Sequence, residues 1–499
     1  MTITDALPLI SPTLASWLND VSRGKFSTPD IATSGEIAYP VLDPGTGRTL
    51  ANVPISNSDH VARAVRKARA AMDDGRWSEQ DPDYREAALL RLAALVERDF
   101  DTLVTLEAVD TGKPRTEAAL DIHEVTLVLR YYAGWCTKVT GSTIAAPRQF
   151  AAQTIREAVG VCVAITPWNY PLPILMYKLA PALAFGNSIV AKPSELAPLS
   201  SIYFLELCSE AGIPDGVVSL VLGPGEVGAD LVSQPGIDKI SFTGSTTTGK
   251  AIMRAAAEHP TKVTLELGGK SPHIVFASAD LDAAVAGVAA GIWTNAGQVC
   301  VAGSRLLVEE SVKEIFIEKL VAFTDEYHVG HALDDRSMMG PMISARQLEK
   351  AQATITEAQK SGARITTAGT VHSEVGTFLA PTIIDGLDGS HAAHQEEIFG
   401  PVLTVDSFGS EDEAATRANS TPFGLAAGVW TDAAGQSTRM ARKLNAGTVW
   451  VNTYGVFHPT LPFGGTKASG FGRELGESAV EAYTQTKTIV EDIAGRGGE

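Results

Sequence analysis

The stretch Lys239-Ile-Ser-Phe-Thr243-Gly-Ser-Thr-Thr-Thr-Gly249 runs from a short apolar segment through a small-residue turn into a helical pattern, Lys250–Glu258. Strand, tight turn and helix form the repeating half of a parallel sheet, because parallel neighbours need a crossover to return to the same end. The same rhythm extends in both directions. Short apolar runs at Val161–Thr166, Ser188–Ala191, Val217–Leu222 and Val263–Leu265 alternate with helical patterns. This predicts βαβ units and a largely parallel sheet between about Val159 and Gly269. A second alternation follows, with helical patterns at Asp280–Ala290, Ser311–Tyr327 and Gln347–Ser361 and a strand at Ser304–Glu309. The predicted fold class is α/β, with two units of comparable size.

Upstream, Ser58–Met72 places Val61, Val65, Ala68 and Met72 on one face, predicting an amphipathic helix with Ser58 as its N-cap. Tyr84–Val109 reads as a second helix, ended by Gly112-Lys-Pro114. Two segments outside both units, Gln149–Glu157 and Thr484–Ile493, alternate as strands do. They are expected to pair with each other or with another subunit, and a sheet edge completed across subunits favours an oligomer.

Composition narrows the function. The 499 residues imply at least two domains, and 44% hydrophobic with 20% charged residues is ordinary globular material. A net charge of −18 with no basic run argues against nucleic acid. The four cysteines, Cys136, Cys162, Cys208 and Cys300, have no C-x-x-C spacing, so neither a disulfide framework nor a zinc cage is expected. Residues 1–20 lack the basic start of a signal peptide, and the longest apolar run, around Ala283–Trp293, is too short for a bilayer. A cytoplasmic protein without membrane contact is the expectation. His391 and His394, and His328 and His331, lack a third metal ligand and read as loop or surface residues. No G-x-S-x-G elbow and no P-loop is present.

Five features could carry chemistry. Gly223-Pro-Gly225-Glu-Val-Gly228 matches the dinucleotide pattern G-x-G-x-x-G after an apparent strand, yet fits a plain glycine-rich turn equally well. Phe242-Thr-Gly244-Ser245-Thr-Thr-Thr248-Gly249 is either an anion site at a helix start or a Ser/Thr-rich cap. Lys192-Pro-Ser194-Glu195 ends a strand, where a Lys and an acid can reach ribose hydroxyls or form a surface ion pair. Cys300, in Asn295-Ala-Gly-Gln-Val-Cys300-Val-Ala-Gly303, is either a small buried hydrophobe or a thiol that flanking glycines open to backbone donors. Glu266, in Val263-Thr-Leu-Glu266-Leu-Gly-Gly269, is an acid in an apolar strand, where burial raises its pKa towards that of a general base unless it serves a structural ion pair.

These motifs, in this order, resemble the NAD(P)-dependent aldehyde dehydrogenase superfamily. The resemblance also includes Thr166-Pro167-Trp168-Asn169-Tyr170-Pro171, Leu265-Glu266-Leu267-Gly268-Gly-Lys-Ser-Pro272, Gly297-Gln-Val-Cys300, Glu397-Ile-Phe399-Gly-Pro401 and Pro462-Phe-Gly-Gly-Thr-Lys-Ala-Ser-Gly470. It runs from about Tyr39 to Thr488. It implies two Rossmann-like α/β domains and a small β oligomerisation arm. The dinucleotide-binding domain would comprise residues 1–139 and 159–268, the catalytic domain 269–470, and the arm with the C-terminal strand 140–158 and 471–499.

The resemblance also implies roles. Cys300 would be the nucleophile, Glu266 the base that activates hydrolytic water, Asn169 with the Cys300 backbone N–H the oxyanion hole, and Lys178 an aid to proton movement. Cofactor contacts would come from Thr166, Pro167, Trp168, Lys192, Ser194, Glu195, Gly225, Phe242, Gly244, Ser245, Thr248, Leu267, Gly268, Glu397 and Phe399. Glu195 would repel a 2′-phosphate, which favours NAD over NADP; a carboxylate that swings aside admits NADP as well. Tyr170, Ile174, Tyr177, Val299, Val301 and Phe457 would surround the aldehyde. Their apolar and aromatic character predicts a hydrophobic aliphatic, terpenoid or aromatic aldehyde. The rival is a quaternary-ammonium aldehyde caged by Tyr170, Tyr177 and Trp293. A non-catalytic binding protein on the same scaffold is the alternative of another class. The expected assembly is a homodimer or homotetramer.

Overall fold

The computed structural model describes residues 10–31, 33 and 37–494. The outermost residues of the ranges 1–139 and 471–499 therefore lie outside the described residues. After a helix at Pro12–Ser22, four more lead into the first sheet: α1 (Ser58–Asp73), α2 (Pro82–Arg98), α3 (Phe100–Thr111) and α4 (Arg115–Ala133). The helix at 58 is capped one residue earlier than its sequence predicts. Asn57 is extended and its side chain accepts the His60 N–H, while the His60 ring accepts the Asn57 N–H. That reciprocal box satisfies two orphan donors and leaves Ser58 as the first helical residue. The single helix expected over Tyr84–Val109 is two helices. Asp99, at φ −100° and ψ 22°, turns the chain between α2 and α3. Gly112, at φ 87°, closes α3 in a left-handed conformation suited to glycine.

The first sheet alternates as expected: β1 (Val161–Ile165), α5 (Pro171–Ala184), β2 (Ser188–Lys192), β3 (Val218–Leu220), α6 (Gly225–Ser233), β4 (Lys239–Thr243), α7 (Thr246–Glu258) and β5 (Lys262–Glu266). Its spatial order is Gly470–Phe471, β5, β4, β1, β2, β3. Every pair is parallel except the antiparallel edge formed by Gly470–Phe471 on β5. Strands β1, β2 and β4 are buried along their whole length; β1 is an unbroken apolar run, whereas β4, Lys-Ile-Ser-Phe-Thr, alternates and is buried on both faces all the same.

The second sheet contains β6 (Pro272–Val275), β7 (Arg305–Glu309), β8 (Arg364–Thr367), β9 (Thr382–Asp385), β10 (Val402–Phe408), β11 (Ala426–Trp430) and β12 (Thr448–Val451), in spatial order β8, β9, β10, β7, β6, β11, β12. Only β8 runs antiparallel to its neighbour. Helix α8 (Leu281–Trp293) packs on this sheet and leads into the loop that carries Cys300. The segments Phe150–Ala158 and Thr484–Asp492 pair with each other in antiparallel register over their full nine residues.

Among the described residues, no helix is long and apolar enough to cross a membrane, and no group of three or more His, Cys, Asp or Glu side chains could hold a metal ion. His394 departs from the surface placement expected for it. It is 3% exposed, beneath the loop that leads to Glu397. His328 stacks on His372 at 3.8 Å, and His331 bonds the buried Asp43.

Candidate active site

The C-terminal ends of the parallel strands of the first sheet collect the segments proposed to contact a cofactor. Thr166-Pro167-Trp168 follows β1, Lys192–Glu195 closes β2, Leu222–Gly225 links β3 to α6, and Gly244–Thr248 links β4 to α7. Loops at this edge of an open α/β sheet form its binding crevice. Ser245 caps α7 by accepting the Thr248 N–H at 3.1 Å, and Gly244 donates to the Glu266 carbonyl at 3.0 Å. Phe242 fills the space a side chain at Gly244 would need, so the turn lies flat over that ring. The Lys192 ammonium lies 3.6 Å from Glu195, and the face of Gly225 is open. Gly228 packs on the Lys192 stem, so the glycine-rich turn and the Lys–Glu pair adjoin.

Where the two sheets meet, Glu397 accepts the Gly269 N–H at 2.9 Å. A Cβ at Gly268 would stand 2.3 Å from that carboxylate, so only glycine admits it. Phe399, at φ 60°, sets its ring edge-on to Trp168 with centroids 5.2 Å apart. A flat aromatic pair, a buried carboxylate, an exposed acid beside a lysine and a helix start together make a donor and acceptor set suited to a dinucleotide's rings, riboses and diphosphate.

Of the four cysteines, only Cys300 is not buried. It lines a cavity of about 350 Å³, together with Glu266, Thr243, Tyr170, Ile174, Tyr177, Val299, Val301 and Phe457. Tyr170, Ile174 and Tyr177 recur at i, i+4 and i+7 from the start of α5, so one helix face presents all three. Burial, then the carboxylates of Glu397 and Glu266, push the Cys300 thiol up to about 12, against backbone N–H groups of Val301 and of Cys300 itself. Asn169 is held from both ends: its side-chain amide donates to the Gln298 carbonyl at 2.8 Å, and its own carbonyl accepts from Asn295 at 3.0 Å.

Glu266 ends β5, and among the described residues neither of its buried carboxylate oxygens has a partner at full hydrogen-bond geometry, although the Gly465 backbone acts on it as a donor. Burial, then the carboxylate of Glu474, holds its pKa well above the usual range, with Lys178, Arg473 and the Gly465 backbone opposing. Lys178 is fully buried on α5, where its ammonium pairs with Glu474 and donates to Thr243 at 2.8 Å. A buried carboxylate beside an ion pair is poised to take a proton from water.

Sequence reasoning missed several groups at this cavity. Glu474 sits beyond the last motif, in a segment without periodic pattern. Tyr454 donates to the Val301 carbonyl at 2.6 Å, and Phe463 exchanges backbone hydrogen bonds with Glu474 at 2.7 Å. Glu117, Leu120, Asp121 and Glu124 also line the cavity from α4; their i, i+3, i+4, i+7 spacing lies in a stretch to which the sequence reading assigns no element. Trp293 is not part of the site. Its indole is buried against α8's own core and donates to Thr324 at 3.1 Å.

Residues 31–489 match the model of the aldehyde dehydrogenase family. An aldehyde dehydrogenase from Emericella nidulans is 42% identical over 90% of this chain and 91% of its own. Retinal dehydrogenase 2 from Gallus gallus is 42% identical over 91% of this chain and 89% of its own. The crystal structure of betaine aldehyde dehydrogenase from Staphylococcus aureus in complex with NAD+ superposes with a TM-score of 0.93 at 36% identity, covering 98% of each chain.

Proposed function

Since the chain belongs to the aldehyde dehydrogenase family, we propose that it oxidises an aldehyde to the carboxylic acid with NAD+, through a thioester on Cys300. The observation that carries this reading is the meeting of the Cys300 thiol with the Glu266 carboxylate in one cavity, with the Asn169 amide tied to the carbonyl of Gln298, two residues before the thiol.

In this reading the Cys300 sulfur adds to the aldehyde carbon. The alkoxide that forms is met by the Asn169 side-chain amide and the Cys300 backbone N–H, which are fixed before the reaction. When bound, NAD+ accepts the hydride that the thiohemiacetal carbon gives up. Lys192, Ser194 and Glu195 would hold its adenosine ribose, Gly225 and Gly244–Thr248 its diphosphate, and Glu397, Phe399, Leu267, Gly268 and Thr166–Trp168 its nicotinamide end. Glu266 then takes a proton from water, and the hydroxide cleaves the thioester to release the acid. Lys178 and Glu474 bias the protonation of Glu266 from behind. The exposed Glu195 supports NAD over NADP.

The inner wall of Ile174, Val299, Val301 and Phe457 supports an aldehyde borne on an apolar chain. The quaternary-ammonium cage has less support, because Lys113 already stands 3.9 Å over the Tyr170 ring and Trp293 faces elsewhere. The same reading assigns residues 1–139 and 159–268 to the cofactor, 269–470 to catalysis and the paired strands to a homodimer or homotetramer. All four cysteines are free, which supports a cytoplasmic, reducing location.

NADH formation from simple aliphatic and aromatic aldehydes, with identification of the free acid, tests the reading. Cys300→Ala abolishes turnover while NAD+ still binds. Glu266→Gln gives one burst of NADH and a trapped acyl-enzyme. A Glu266→Gln steady-state rate equal to wild type removes Glu266 as the base.

A further inference from the structure

Helix α4 turns Glu117, Asp121 and Glu124 towards the cavity that holds Cys300. Their partners differ. The Lys113 ammonium pairs with Asp121, so that acid is neutralised within the chain. Glu117 accepts only the Asn295 N–H, at 2.9 Å through Oε2, and Glu124 accepts only the Tyr177 hydroxyl through Oε1. Among the described residues, neither Glu117 Oε1 nor Glu124 Oε2 has a hydrogen-bond partner, and neither carboxylate has a cationic one. The Tyr170 hydroxyl feels Cys300 as well as Asp121, Glu117 and Glu124, which places the acids and the thiol around one ring.

Glu117 and Glu124 are half-buried and face the cavity, and carboxylates so placed usually have a counter-charge. Burial, opposed by Lys113, lifts Glu117 to about 8 and Glu124 to about 7, the mark of acids left without enough of one. Between these acids and the Cys300–Glu266 end of the cavity the wall includes the apolar side chains of Ile174, Val299, Val301 and Phe457, so a ligand that satisfies both regions has an apolar stem and a cationic end. A primary ammonium offers three N–H donors to the two free carboxylate oxygens. A quaternary ammonium has no N–H and depends on aromatic faces, of which Tyr170 is already under Lys113.

We propose that the substrate is an ω-amino aldehyde, its methylene chain along Ile174, Val299 and Phe457 and its primary ammonium between Glu117 and Glu124. This narrows the aldehyde-oxidising reading and rests on it.

The test compares kcat/KM of the wild-type protein for 3-aminopropanal, butanal and trimethylammonioacetaldehyde. The expected order puts 3-aminopropanal at least tenfold above each of the others. In the Glu117→Gln/Glu124→Gln variant, checked for wild-type melting and NAD+ binding, the ratio of 3-aminopropanal to butanal falls at least tenfold. Preference for butanal or for the trimethylammonium aldehyde overturns the proposal and leaves the aldehyde-oxidising reading intact, as does a ratio unchanged in the variant. Absence of NADH from every aldehyde overturns both. The wild-type comparison decides even where the variant does not fold.

Discussion

A Cβ placed on Gly297 would stand 2.2 Å from the carbonyl oxygen of Gly400. The loop that delivers Cys300 is thus seated directly on the backbone of the loop that delivers Glu397 and Phe399. Three consecutive residues before the thiol, Asn295, Ala296 and Gly297, have φ of 47°, 53° and 69°. Two of them carry side chains in a region that costs them energy, and tertiary packing holds them there. Asn295 is fixed by its N–H to Glu117 and its amide to the Asn169 carbonyl. Nucleophile, oxyanion donor and cofactor-side loop are therefore set by one rigid cluster.

Gly297→Ala would force backbone against backbone, which cannot relax as a side chain can. Displacing the thiol by roughly an ångström lowers kcat by about a hundredfold. NAD+ affinity falls too, because Gly400 moves with its neighbours. Steady-state kinetics and cofactor titration check this, and a variant with wild-type kcat shows that the two loops are not coupled.

Glu474→Gln removes the carboxylate that ranks second, after burial, in holding Glu266 above its usual pKa. Lys178, which opposes the rise in the Glu266 pKa, stays in place. Glu266 then ionises at lower pH, so the acid limb of kcat moves down the pH axis wherever thioester hydrolysis limits the rate. The variant also leaves the Lys178 ammonium buried without its partner, a loss of about 3–5 kcal/mol that lowers the melting temperature. A limb that stays in place separates Glu474 from the base.

Glu117 and Glu124 keep their protons up to about 8 and about 7 in the folded chain, whereas an unfolded chain loses them in the ordinary carboxylate range. Across that window the native state binds more protons, so its stability falls as pH rises. Thermal melts from about pH 5 to about pH 8 are expected to decline steadily, with a shallower slope in the Glu117→Gln/Glu124→Gln variant. Equal slopes dismiss these two acids as contributors.

His273 is fully buried, and burial drives its pKa down to about 3. Its Nδ1 accepts the Trp430 indole N–H at 3.2 Å, and its ring lies 4.0 Å from that of Tyr454, whose hydroxyl holds the Val301 carbonyl. His273→Phe keeps the ring but strands the indole N–H, which costs about 1–3 kcal/mol. Slackened Tyr454 also raises KM more than it lowers kcat, because it walls the cavity without touching the reacting carbon. Calorimetry and a substrate titration read both effects.

The alternation of strands and helices was legible because short segments rich in apolar residues, unbroken in β1 and interleaved with polar ones in β4, stand between helical patterns. Cys300, Glu266 and Asn169 stood out because each is the wrong residue for a plain core. Glu474, Tyr454 and Phe463 did not, since they reach the cavity only through chain reversal after β12, and no local pattern records where a reversal ends. The break at Asp99 was hidden for a related reason: no Gly or Pro stands between α2 and α3, and only the turn of the backbone at one residue divides them. The acids of α4 went unread because no element was assigned to Arg115–Ala133, and only the packing of that helix turns them to the cavity.

The pairing of Gly470–Phe471 with Leu265–Glu266 gives the chain a particular order of maturation. Roughly two hundred residues separate the general base from the segment that seals its strand. During synthesis the cofactor sheet can assemble long before that segment emerges from the ribosome. Until then the strand that ends in Glu266 lacks its neighbour on that side. The acquired basicity of Glu266 is a late event, conferred by the polypeptide closing on its own earlier half.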